Sequence, residues 1–109
     1  MISSVLAVAL LLLAPADVAS LRRAFSSCLA SHARSSAEEK MEPGQFDASL
    51  ATTCTAEQQA FRQAVVASDT ARGISRKTSE QGVADEIADY LSEAKERFRD
   101  ALGSASQNQ

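Results

Sequence analysis

Val83-Ala84-Asp85-Glu86-Ile87-Ala88-Asp89-Tyr90-Leu91-Ser92-Glu93-Ala94, continued by Phe98 and Leu102, places its apolar side chains at three- and four-residue steps. That spacing gathers them on one side of an α-helix. Gly103 is the expected stop and Thr78-x-x-Gln81 the expected capping box. Two further stripes precede this one. Val18, Leu21, Phe25, Cys28, Leu29 and His32 form the first, with Ser35 and Ser36 as its polar exit. Phe46, Leu50, Cys54, Phe61 and Val65 form the second, which starts at Glu42-Pro43, where proline suits a first helical turn, and stops near Gly73. Strand-like alternation and internal repeats are absent from the sequence. The expected fold is therefore all-α, a small helical hairpin or three-helix bundle.

Ahead of these stripes, Val5 to Ala14 is an unbroken apolar run ending at Ala14-Pro15-Ala16. This reads as a secretory signal peptide over residues 1–16, followed by a helical domain over 17–103 and a flexible tail over 104–109. Ten apolar residues fall short of the roughly 20 that span a bilayer. A retained membrane anchor is the first competitor, because Met1-Ile2-Ser3-Ser4 carries no lysine or arginine. A lipoprotein signal is the second: Phe25-Ser26-Ser27-Cys28 is a faint lipobox, but Arg22 and Arg23 interrupt the apolar segment it requires.

The chain holds two cysteines, Cys28 and Cys54, each within the apolar stripe of its own helix. Pairing the stripes in an antiparallel hairpin with a turn near residues 36–43 brings the sulfurs to one seam, and export makes a disulfide their expected fate. Whether the third stripe folds back on this hairpin turns on Gly73. One long helix through residues 73–79 would keep Val65 and Val83 in phase, and would leave the third face to a partner or a second copy. The expectation is a break and a folded-back bundle, with weak self-association as the alternative.

Two resemblances follow from these residues. An apolar leader, Phe25-x-x-Cys28, a gap of about 25 residues and Cys54-x-x-Glu57 running into an amphipathic helix resemble a group of short exported proteobacterial helical-hairpin proteins. That resemblance implies a periplasmic or secreted helical hairpin and carries no activity. Thr55-Ala56-Glu57-Gln58 is similar to part of the L-T-x-x-Q motif of small periplasmic stress chaperones, with Cys54 where the leucine stands. It carries over no functional residue.

A net charge of −3, one tyrosine and no tryptophan argue against nucleic-acid binding, which needs a basic face and stacking aromatics. A nucleophile cannot be matched with a base, because there is no G-x-S-x-G elbow and a single histidine; no Gly-rich phosphate loop appears either. The chain is expected to be non-enzymatic and free of cofactors, binding a protein partner or client through leftover apolar helix surface. The alternative is a metal-binding or metal-responsive protein. Cys28 and His32 at i and i+4, with Cys54 and Glu57, supply ligand types zinc accepts, although the spacing fits no standard zinc motif. Two charged groups have plainer readings. Asp85, Asp89, Glu93, Glu96 and Asp100 suit a solvated helix face with Glu93 and Arg97 as an i, i+4 pair. Arg72, Arg76 and Lys77 suit a helix carboxyl end.

Overall fold

Asp17 stands in extended backbone, and its carboxylate accepts a hydrogen bond from the Ser20 amide at 2.7 Å. This is an N-cap that satisfies one of the free amides of a first turn. The first helix, α1, starts there and runs over Val18–Glu38. The computed structural model describes residues 17–107, so the signal peptide expected over 1–16 and the last two residues of the expected tail lie outside them. The described residues form four helices and no strand.

α1 continues past the expected exit at Ser35, and Ser36 and Ala37 are both buried. What ends it is a Schellman turn: the Met41 amide donates to the Ser36 carbonyl, the Lys40 amide donates to the Ala37 carbonyl, and Lys40 takes the left-handed conformation at φ 55°. Glycine usually fills that slot, so the sequence offered no stop signal here.

The second stripe is not one helix but two. α2 spans Pro43–Ser49 with proline in its first turn, and α3 spans Thr55–Ala71. Between them, i→i−3 bonds from Leu50 to Asp47, Ala51 to Ala48 and Thr52 to Ser49 interrupt the helical ladder. The cause is local. Hydroxyls of Ser49, Thr52 and Thr55 bond the carbonyls three residues back, giving the backbone an alternative to the helix. Cys54 closes the turn in the left-handed region at φ 57°.

Gly73, at φ 90°, breaks the chain as expected. The Ile74 amide donates to the Asp69 carbonyl and the Gly73 amide to the Thr70 carbonyl, a second Schellman turn. α4 then runs over Arg76–Gln107. Its cap is Ser75, whose Oγ accepts from the Thr78 amide at 3.1 Å, so the start lies ahead of the expected Thr78 capping box. Gly103 does not end it. With no left-handed residue there, the helix carries a glycine at about 1 kcal/mol relative to alanine and takes in most of the predicted tail.

Contacts fix the topology. Arg22 meets Glu86 and Phe25 meets Tyr90, so α1 and α4 run parallel. Cys28 meets Cys54 and Phe25 meets Phe61, so α3 runs antiparallel to α1. The three long helices form a bundle, and α2 closes the end where α1 stops. All four phenylalanines lie in one core, each at most 1% exposed, with Leu29, Val83, Ile87 and Ala94 around them. Truncating one of these rings would cost about 3–5 kcal/mol. The third stripe is thus covered within a single chain.

Candidate functional site

Cys28 lies three residues beyond Phe25 on the inward row of α1, and Cys54 is the last residue before α3. Their Cα atoms are 6.0 Å apart, within the range a disulfide needs, and the sulfurs are bonded to each other. The bond ties the middle of α1 to the start of α3. It closes a loop with a sequence separation of 26, which restricts the unfolded chain by roughly 3.5 kcal/mol.

Glu57 stands in the first turn of α3, where the helix dipole favours a carboxylate. Its carboxylate oxygen and the two cysteine sulfurs lie within 4.8 Å of one another. Cys54 is buried, whereas Cys28 and Glu57 are half-buried.

His32 is not part of this cluster. Its Nε2 is 2.7 Å from Ser49 Oγ, and that hydroxyl donates to the Phe46 carbonyl at 2.7 Å. A serine hydroxyl has one proton. With it committed to the carbonyl, Nε2 carries the hydrogen and donates to Oγ, and Nδ1 keeps the ring's lone pair. The imidazole also stacks on Phe46, which stacks in turn on Phe98 with centroids 4.2 Å apart. Of the four candidate ligands, the fold gathers Cys28, Cys54 and Glu57, and uses His32 to fasten α2 onto α1.

The acidic stripe takes its plain reading, whereas of the three cations expected at a helix carboxyl end only Arg72 stands at one, the end of α3; Arg76 and Lys77 open α4, at an amino end the dipole does not favour for cations. Asp85, Asp89, Glu93, Glu96 and Asp100 are all exposed, and Arg97 bonds Glu93 at 3.2 Å. Arg72 pairs with Asp69 and Arg76 with Glu80. Two long-range links carried no sequence signal. Asp69 accepts from Ser79 Oγ at 2.8 Å, clamping the end of α3 to the first turn of α4, where Ser79 is buried. That bond, with Arg72 beside it, holds the Asp69 carboxyl below the usual carboxylate range. Arg22 reaches Glu86 and lies over the Phe61 ring at 5.3 Å, joining three helices from a position 64 residues away from its acid.

An open groove of about 360 Å³ lies along α3 and the start of α4. Gln59, Arg62, Gln63, Thr70 and Arg76 line it, with Val66 among them. Compared with protein-family models, curated proteins and solved structures, the chain matches none.

Proposed function

We propose that this chain is an exported, non-enzymatic helical module of the bacterial envelope, periplasmic or secreted, that works by binding another protein. The observation that carries the reading is the Cys28–Cys54 disulfide, which ties two helices of a small domain as staples do in oxidising compartments. No described helix is long and apolar enough to cross a membrane, in keeping with a domain released from its leader.

The expected binding surface changes in character. Among the described residues, Ile74 is the one large hydrophobic that is exposed, because the apolar stripes cover one another. A partner therefore meets polar helix surface, and the α3–α4 groove offers amides, guanidinium groups, the Glu80 carboxylate and the apolar Val66 and Ala67 together. That mixture suits a protein interface of polar character, wet at its rim. It does not suit a greasy chaperone cradle.

Site-specific photocrosslinking in intact bacteria tests this. A photoreactive residue replacing Gln63, in the groove, is expected to give one adduct of defined mass in the exported fraction, and one replacing exposed Arg99 is expected to give none. An unprocessed chain confined to the cytoplasm, or no adduct at Gln63, would contradict the proposal.

A further inference from the structure

Glu57 has no hydrogen-bond or ion-pair partner among the described residues, yet its carboxylate lies within 4.8 Å of both cysteine sulfurs. Two thiolates and a carboxylate are donors that zinc accepts, with Zn–S near 2.3 Å and Zn–O near 2.0–2.2 Å. Around a tetrahedral ion such donors stand about 3.6–3.8 Å apart. Once the bond between the sulfurs is opened, rotation of the two cysteine side chains reaches that spacing with the Cα atoms left at 6.0 Å. We infer that the reduced chain binds one zinc-class divalent cation through Cys28, Cys54 and Glu57, and that disulfide formation expels it.

The exchange balances with a small-molecule or protein disulfide as oxidant. Its sulfur–sulfur bond breaks as the Cys28–Cys54 bond forms, the two thiolates pass two electrons to it, and it leaves as two thiols after taking two protons. The cation returns to water. In the reverse direction a dithiol reductant supplies two electrons and two protons, and cation binding then releases the two thiol protons. Three protein ligands leave a fourth position for water, on the side where Cys28 and Glu57 are half-exposed. His32 takes no part, since it lies outside the cluster of Cys28, Cys54 and Glu57 and is hydrogen-bonded to Ser49. The inference does not depend on the partner-binding proposal.

Cobalt(II) is the direct probe, added to the purified chain reduced with a phosphine in the absence of oxygen. The expected result is a thiolate-to-cobalt charge-transfer band that saturates at one equivalent, is displaced by zinc and is absent from the oxidised chain. Glu57→Gln should weaken cobalt binding by at least about tenfold, the lower end of what even an outer-shell partner contributes. His32→Ala should leave the affinity unchanged. Circular dichroism of the same samples covers the case in which the reduced chain unfolds, where zinc is expected to restore the helices. No charge-transfer band, wild-type affinity in Glu57→Gln, equal binding by the oxidised chain, or a reduced chain left unfolded by zinc would each overturn the inference.

Discussion

Among the described residues, Lys40 and Cys54 are the two non-glycines held at positive φ, a conformation that costs an L-residue roughly 1–2 kcal/mol. They have different reasons to be there. Cys54 turns its sulfur to Cys28, whereas Lys40 is exposed and fills a slot that glycine takes at Gly73. Lys40→Gly should therefore stabilise the fold by about 0.5–1 kcal/mol, after allowing for the looser unfolded chain, and urea melts would read it as a higher midpoint at constant slope. Asp69 makes a second residue-scale prediction. The Ser79 hydroxyl, and then Arg72, hold its carboxyl below the value it has when unfolded. Its contribution to stability is thus complete above the ordinary carboxylate range and is lost as pH falls through the lowered folded value. Melting temperatures followed from pH 6 to pH 2 should show a shallower acid decline in Asp69→Asn than in the parent, from a lower starting stability. Parallel declines would place the acid sensitivity elsewhere. Asp17, lowered by the Ser20 amide, adds to the same slope in both proteins.

Each long helix rests on a legible stripe, and the stripe residues Phe25, Leu29, Phe46, Leu50, Phe61, Val83, Ile87 and Phe98 are buried. Helix ends were less legible. Gly73 stops α3 because glycine supplies φ 90° cheaply, but Lys40 does the same for α1 without a residue type that signals it. The division of the second stripe into α2 and α3 hid behind correct periodicity: Phe46, Leu50 and Cys54 stay on the core side even though Ser49, Thr52 and Thr55 turn the backbone between them. Among small residues, Ala94 is buried as its stripe implied, whereas Ala84 and Ala88 are exposed, and the buried Ala33 and Ala37 extend α1 beyond its predicted exit. The candidate ligand set was legible in three of its members. His32 left it for Ser49, a residue 17 positions away that no local pattern pairs with it. α2, the shortest element, depends on Phe46 for its seat between His32 and Phe98. Phe46→Ala is expected to cost about 3–5 kcal/mol, with amides of residues 43–49 losing protection in hydrogen exchange before those of α1. Uniform loss across the chain would show that α2 does not open separately.

At the scale of the molecule, folding back at Gly73 brings Val83, Ile87 and Phe98 into the core that holds Phe25 and Phe61. The face that a continuous helix would have offered to a second copy is covered within one chain. Sedimentation of the purified protein should accordingly show a monomer at every concentration, and an elongated dimer would contradict the turn at Gly73. The bundle is small enough for a single covalent tie to carry a large share of its stability, since domains of this size hold about 5–15 kcal/mol in all and the loop closed here contributes roughly 3.5 kcal/mol. The Cys28–Cys54 bond is therefore central both to the fold and to the proposal that the chain works outside the cytoplasm. Intact mass after denaturation in an alkylating reagent tests it most directly, on protein taken from the exported fraction. The predicted mass is lower than the dithiol form by two hydrogens, with no alkyl group added; two alkyl groups on an otherwise intact chain would contradict the staple.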